Sequence, residues 1–582
     1  MSLLKRWRIL ALTAIAVAVL GAVTACSGDD NASNTPTGSA AGSPTPTSSG
    51  PPSDAAPDAS QNLTINTGAE PNTIDPQAQS YTYEATVVKN TYLTLFDQDP
   101  KTSQLIPLAA AEVPTTANGG ISADNLTYTI KLRPDLKWSD GTPVTAADFV
   151  YGIIRGYNLN VSGQGYGGFF SSLKGASTAL ALDPTSATYV ADVTAALKDS
   201  VVAVDDHTLK VLAEQPSVSF LSNFFLPITA AVKQSNVEAL GDKFGQASGA
   251  AQMVTDGPFT VTDWVPKDHL TMTRSTTYTA GHPSYLKTVK VTFTEDTNQA
   301  YNALTAGQAD EAAVPPSVYP NVKNDPTVAQ ETEFGTRWIT VDVTLPPWDK
   351  PDFVTAINQA TDRDSIVNDV YAGIRTPYTA PCAQAVLDCD PSIFNNLNYD
   401  LTKAKASALK AYPAGTTIPP ITLETVDDPT TKALVTRLQQ SWQQIPGVTV
   451  NINTVDQKTL RADMKGHISG TQITGWGMDF ADPTDLWSIK TTAQVGANNL
   501  GFYSRPTYDD LEAKQDKEYD PAKRKDLLTQ LQQYYAGDPA DITFAVQLRT
   551  DQFGSKVKGI IKSPFDYQVV GDQFLADIYI SK

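Results

Sequence analysis

Histidine and cysteine are nearly missing from this sequence. Its 582 residues include four histidines and three cysteines. His207, His269, His282 and His467 stand apart, and none falls in an HExxH pair, which excludes a zinc hydrolase built on paired imidazoles. Three cysteines are too few for a small domain stapled by disulfides. There is no Walker A lysine motif. Gly163, Gly165 and Gly168 match GxGxxG in spacing, but no strand pattern precedes them and no helix pattern follows, so the dinucleotide reading fails. Ser171 and Lys174 match SxxK without a Lys-Thr-Gly partner. Positive charge is scarce as well. Against 62 Asp and Glu stand 43 Lys and Arg, a net charge of −19 with a pI of 4.6. Such a surface cannot neutralise phosphates and is repelled by anionic lipid, which excludes nucleic acid and leaves membrane attachment to a dedicated anchor. Long apolar runs are absent except for Ile9 to Thr24, sixteen residues, short of the ~20 that span a bilayer comfortably.

That run reads as a leader. Lys5, Arg6 and Arg8 precede it and Val23-Thr24-Ala25-Cys26 closes it, so 1–25 is expected to be a signal peptide. The small residues before Cys26 resemble the lipobox of bacterial lipoproteins. This implies that Cys26 becomes the mature first residue, carries palmitate-type acyl chains, and holds the protein to the outer face of the cell membrane. An uncleaved transmembrane helix is the alternative. With Cys26 lipidated, Cys382 and Cys389 remain, seven residues apart in an oxidising compartment. A disulfide is expected there, with a metal pair as the weaker option because no histidine lies nearby. From 27 to 61 the chain has no Lys or Arg and is almost entirely Ser, Thr, Pro, Gly, Ala, Asn and Asp. Such a segment cannot offset its ordering entropy, so 26–61 is expected to be a lipidated, disordered tether.

Beyond it, 41% hydrophobic and 9% aromatic residues suffice for packed cores, and the length calls for several structural units. Leu126, Tyr128, Ile130 and Leu132 alternate with polar residues, as in a half-buried strand. Val201 to Leu212 repeats the pattern around Asp205-Asp206-His207, predicting a hairpin. Ile421 to Thr425, a helical pattern at Leu434, Leu438, Trp442 and Ile445, and Val448 to Ile452 form a βαβ unit. Asp520-Pro521 supplies an N-cap and first position for a helix burying Leu527, Leu531, Tyr534 and Tyr535. Trp138 to Gly141 ends a strand in a tight turn, and Thr145 caps a helix with Asp148 in the capping-box position. The class is α/β with antiparallel additions.

Six segments then occur in a fixed order: AEPNTIDP at 69–76, LTYTIKLRPDLKWSDGTPVTAADFV at 126–150, VDDHTL at 204–209, DGPFTVTDW at 256–264, AINQATDRDSIV at 356–367 and GWGMDFADPTDLW at 475–487. Together they resemble the family 5 extracellular solute-binding proteins of ABC importers, of the oligopeptide, dipeptide and nickel type, most of all the oligopeptide-binding lipoproteins. The resemblance implies a two-lobed α/β fold: lobe one over 62–335, with an extra subdomain at about 84–230, lobe two over 336–549, and a return to lobe one over 550–582. Two chain crossings, near Thr336–Asp342 and Phe544–Thr550, would form the hinge. It implies a monomer without cofactor or catalytic activity, with a peptide ligand and the permease subunits as partners.

The resemblance also nominates a site. Trp476, Gly477 and Asp479 would line the cleft wall of lobe two, with Asp479 pairing with a ligand's α-ammonium. Asn498, Asn499, Leu500 and Gly501 would offer backbone to an extended peptide. On lobe one, Ser80, Tyr81, Thr82 and Tyr83 would face the ligand, and Tyr166 would close a side pocket. Phe353 stands where many relatives carry Arg. No clear carboxylate-gripping residue is evident, and Arg337, Arg461 and Lys465 are the candidates. A saccharide stacked on Trp476, Trp338 or Trp348 is the first alternative cargo and a metal chelate of nickel or haem the second. A secreted hydrolase is the remote one.

Overall fold

The computed structural model describes residues 51–582, apart from 80, 100–101, 103, 163–171, 457–458, 461, 464–465, 468–469 and 563–574. Cys26, Ser80, Tyr166, Arg461, Lys465 and the GxGxxG glycines therefore lie outside the described residues. No helix among those described is long and apolar enough to cross a membrane.

Two large hydrophobic cores divide the chain. The first draws on residues from Leu63 to Phe293 and on Val557, Leu575 and Ile578 near the C-terminus. Its four-stranded sheet runs Asn62–Asn66, Thr288–Thr292, His269–Arg274, Phe259–Val265, the first pair parallel and the others antiparallel. A three-stranded antiparallel sheet joins it. Thr127–Lys131 pairs with Thr208–Leu212, which pairs with Val201–Asp205, and Tyr128, Ile130, Leu209 and Val211 point into the core. The hairpin turns where the sequence placed it, with the Asp205 carboxylate accepting the His207 N–H at 2.9 Å. The capping box is present too: the Thr145 N–H and Oγ1 both reach Asp148 Oδ2, at 2.8 and 2.9 Å, and start the helix Ala146–Gly156. Gly141 adopts φ +85°, the left-handed conformation that this tight turn needs.

The second core runs from Trp338 to Ala545. Its seven-stranded sheet has the order Glu311–Ala313, Asp541–Phe553, Val328–Val341, Thr471–Gly477, Ile421–Thr425, Val450–Thr454, with Thr376–Pro377 also paired to the second of these. Ile421–Thr425 and Val450–Thr454 lie parallel around the helix Pro429–Trp442, completing the βαβ unit. In the helix Pro521–Gly537, Asp520 caps as expected, accepting from the N–H groups of Ala522 and Lys523. The buried stripe, however, is Leu528, Leu531, Gln532 and Tyr535, with Leu527 and Tyr534 half-buried. Leucine and tyrosine are doubled at 527–528 and 534–535, so one step of phase was open, and spacings of 3, 4 and 7 from Leu528 settle it. Cys382 and Cys389 form a disulfide.

The tether is shorter than expected. Residues 51–61 pack against the C-terminal strand: the Ala56 N–H reaches the Ile580 carbonyl at 2.7 Å and the Lys582 N–H reaches that of Asp54 at 2.9 Å. Buried Gln61 ties both ends, donating to Ala56 and Ile580. Composition alone counted the ordering entropy of 51–61 without the partners that the distant C-terminus supplies.

The strand Glu311–Ala313 links the two sheets. Asp310 Oδ2 and Glu311 Oε2 accept the N–H groups of Thr64 and Asn66, at 2.8 and 3.0 Å, on the free edge of the four-stranded sheet. Burial, then the neighbouring Asp551, pushes the Glu311 carboxyl up to about 8. Glu311 thus takes up a proton on folding at neutral pH. Between 4.5, its ordinary value, and about 8 the native state holds more protons than the unfolded chain. Its contribution is therefore fullest below that window and is lost as pH rises through it. Glu311→Gln keeps an acceptor for Asn66 and abolishes the titration. Its melting temperature should exceed that of the wild type by several degrees near about pH 8, and the gap should close toward about pH 5. Parallel thermal melts check this, and a pH-independent gap would sink it.

Candidate functional site

The strand Thr471–Gly477 pairs antiparallel with Val328–Val341, placing Trp476 opposite Thr336 and Thr474 opposite Trp338 on one face. The chain then turns through Met478 to Asp482 into the short helix Pro483–Ser488. Met478 and Phe480 are buried on either side of Asp479, Met478 against Phe334 and Phe480 in the first core. Asp482 caps the helix, accepting from the Thr484 N–H at 2.9 Å, and takes both prongs of the Arg524 guanidinium at 2.6 and 2.7 Å. Beneath the turn lies Asp485, fully buried. Its Oδ2 accepts the Trp476 indole N–H at 2.9 Å and the Asp479 backbone N–H at 3.0 Å. One hidden carboxyl group thus fixes the nominated indole and the backbone of the nominated acid. Burial, then the adjacent Asp479, raises the Asp485 carboxyl well above the usual carboxylate range.

Trp476 borders a cavity of about 170 Å³, room for roughly five waters or one side chain. Trp338, Thr340 and Thr474 form its sheet wall, and the loop Asn498 to Gly501 closes it. Its floor is a buried charge pair, Lys490 with Asp541, in which Tyr535 also donates to Asp541. The ammonium lies 4.2 Å from the Trp338 ring centroid. Paired this way, the floor is neutral overall. Five nominated residues, Trp476, Asn498, Asn499, Leu500 and Gly501, therefore meet in one cavity, while Gly477 and Asp479 sit on the adjoining turn without lining it.

Other nominations fall differently. The segment 498–501 is a folded loop with little free strand edge. Asn499 is a buried pin whose amide donates to the carbonyls of Lys490, Thr491 and Tyr503. Its backbone N–H and carbonyl are taken by Gln494 and Gly496, and the Gly501 carbonyl by Val343. Ladder pairing through Asn499 is thereby closed off, because both its backbone groups serve the loop. Tyr81 is the N-cap of the helix Thr82–Thr91, its N–H donating to Glu84, and its ring stacks on that of Tyr83 at 5.2 Å. Neither tyrosine lines the cavity. Arg337 faces the other side of the sheet, lying over Gly475, where a Cβ would come within 2.7 Å of its Cδ. Strand parity puts it opposite Trp338 and Trp476. The pairs Lys490–Asp541 and Asp485–Trp476 were missed by sequence reasoning. The acidic run Asp482 to Asp485 was the one visible signal for the second, and nothing in spacing marks the first.

The two cores also touch directly, beyond the turn. The Val218 N–H donates to the Asp516 carbonyl at 2.8 Å, and the Ser217 and Ser219 hydroxyls donate to Asp516 Oδ1 at 3.1 and 3.0 Å. The Tyr519 hydroxyl reaches the Ser217 carbonyl at 3.0 Å.

Comparison with known proteins agrees with this architecture. The profile of the bacterial extracellular solute-binding proteins, family 5, matches residues 104–498. The chain is 26% identical over 491 residues to the periplasmic oligopeptide-binding protein OppA of Escherichia coli (strain K12), covering 82% of this chain and 86% of that one. It is 26% identical over 462 residues to the dipeptide-binding protein DppE of Bacillus subtilis (strain 168), covering 77% and 81%. Listeria monocytogenes OppA, solved bound to peptide, superposes with a TM-score of 0.74 at 23% identity, covering 90% of this chain and 99% of that one.

Removing Asp485 tests the construction of the turn. Asp485→Ala takes the acceptor from two half-buried N–H groups, at about 1–3 kcal/mol each, whereas Asp485→Asn keeps an acceptor and should stay within about 1 kcal/mol of the wild type. Urea unfolding measures both, and equal losses would refute the shared-acceptor account.

Proposed function

This chain belongs to the family 5 bacterial extracellular solute-binding proteins, and we propose that it captures extracellular oligopeptides between its lobes and delivers them to the membrane permease of an ABC importer. The observation that carries this reading is the Trp476–Asp479 turn, in which one buried carboxyl group sets an indole and a second acid beside a cavity. Asp479 is the counter-charge for the ligand's α-ammonium. In a cleft that closes over it, that pair is charge-assisted and poor in water. The relatives' names, oligopeptide- and dipeptide-binding proteins, support the same cargo.

In this reading lobe one comprises 62–335 with 550–582, including the extra subdomain near 84–230, and lobe two comprises 336–549. Residues 51–61 go with lobe one. The crossings near Thr336–Asp342 and Phe544–Thr550, on the paired strands Val328–Val341 and Asp541–Phe553, serve as the hinge. Peptide leaves intact, so no residue is assigned a catalytic role. The protein acts as a monomer outside the cytoplasm, tethered through 27–50 to acylated Cys26. Cys26→Ala should move it from the membrane fraction into the medium, and retention in membranes would favour a transmembrane segment instead.

A saccharide is the second reading, favoured by the indoles of Trp338 and Trp476 flanking the hydroxyls of Thr340 and Thr474. One experiment divides the two. Asp479→Asn removes the charge and keeps the shape, with an expected loss of about 2–5 kcal/mol in peptide binding, thirtyfold or more. Acetylating the peptide's amino terminus should weaken wild-type binding to a similar extent and the variant's little, because both changes remove one interaction. Additive losses in calorimetry would defeat the peptide assignment, and a saccharide binder would show no such coupling.

A further inference from the structure

A second cavity, of about 190 Å³, lies where the two lobes meet. Gln215, Ser217, Ser219 and Asn223 line it from one side, and Glu512 and Asp516 from the other. Phe480, the residue after Asp479, also lines it, so it adjoins the turn assigned to the ligand's amino terminus. Hydroxyls, amides and carboxyls dominate its walls.

Neither of its two acids forms an ion pair among the described residues. Asp516 Oδ1 accepts hydroxyl protons from Ser217, Ser219 and Thr484, the last at 3.3 Å. Glu512, four residues earlier, has a single long bond from the Gln515 amide at 3.4 Å. Arg524, whose charge acts on Asp516, is bound to Asp482 in a two-pronged pair. Lys517 lines the rim, is exposed, and forms no ion pair among the described residues. Burial, then the Asp516 charge, lifts the Glu512 carboxyl to about 8, with Asp482 and Asp509 adding to it. Asp516 is raised as well, by burial and then by Asp482, against its Ser217 and Ser219 bonds and Arg524. Among the described residues, those lining the cavity from the first lobe, Ser172, Gln215, Ser217, Ser219 and Asn223, are uncharged.

We propose that this interlobe cavity is a subsite for a basic side chain of the bound ligand, whose ammonium or guanidinium sits between Glu512 and Asp516. The inference rests on the peptide reading above and specifies its substrate class. The volume suits one long side chain. A cation lets Glu512 ionise beside Asp516, whereas a neutral group leaves it protonated and an acidic one is repelled. Hydroxyl and amide oxygens can take the remaining N–H donors of the cation. Because each lobe contributes a wall, the subsite is complete only when the lobes meet, so a basic residue also favours closure.

Calorimetry with pentaalanine and its five single-lysine variants tests this. One position should gain about tenfold or more over alanine, and acetylating that lysine should erase the gain. In the isosteric double variant E512Q/D516N the lysine-to-alanine ratio should fall to about one. Should that variant fold poorly, E512Q alone, which leaves the Ser217 and Ser219 contacts intact, should lower the ratio at least severalfold. No lysine gain at any position, or a gain that survives the substitutions, overturns the proposal. A chain that binds none of the six peptides fails the peptide reading, and n-butylammonium chloride then decides the cavity. Against equal sodium chloride it should raise the wild-type melting temperature more than that of the variant, and equal shifts overturn the subsite.

Discussion

The antiparallel pairing of Val328–Val341 with Asp541–Phe553 is the constraint on which the rest depends. At one end of the pair Ala329 and Phe553 pack in the first core, and at the other Trp338, Ile339, Ile542 and Phe544 pack in the second. Two adjacent strands therefore run through both hydrophobic units. Their register is interrupted between Thr332 and Thr336 and again between Arg337 and Trp338. Bulges of this kind bend and twist a strand without breaking its ladder. The second break lies next to the residues that wall the Trp476 cavity, so the ladder that joins the cores also aims their side chains.

Partly or fully buried acids are handled in two ways. Three acids of the scaffold are given a cation: Asp75 pairs with Arg155, Asp482 with Arg524, and Asp541 with Lys490. Asp256, Glu311, Asp485, Glu512 and Asp516 form no ion pair among the described residues and are raised instead. With 43 basic residues against 62 acidic ones, cations are the scarce resource of this chain. The acids left without one divide between those that hold N–H groups of the fold, as Glu311 and Asp485 do, and those that line the interlobe cavity.

Much of the fold was legible because its signals are local. The Thr145–Asp148 box, the hairpin at Asp205, the βαβ unit from Ile421 and the Asp520 cap each rest on residues within a few positions of one another, where propensity and capping act. The turn 475–487 was legible through its resemblance to a family segment, and five nominated residues do meet at one cavity. What escaped was long-range or a matter of phase. Lys490 and Asp541 are fifty-one positions apart, and Ser217 meets Asp516 only after both lobes have formed. Arg337 and Trp338 are neighbours in sequence, yet only the register shows that they face opposite sides. Asn499 matched a segment expected to serve the ligand, but its amide and backbone close the loop that frames the cavity.

That last case indicates how such a site is held ready. Asn499 spends its polar groups on keeping the loop shut, and Asp485 spends one oxygen on both Trp476 and Asp479. Neither side chain needs to touch a ligand to matter, because each fixes groups that would otherwise reorganise on binding, at a cost of about 0.5–1.5 kcal/mol for each side chain immobilised. The carboxyl groups of Glu512 and Asp516 lie where the lobes face each other. Their partners must come from solvent when the lobes part and from cargo when they close, so ligand capture and lobe closure draw on the same unsatisfied chemistry.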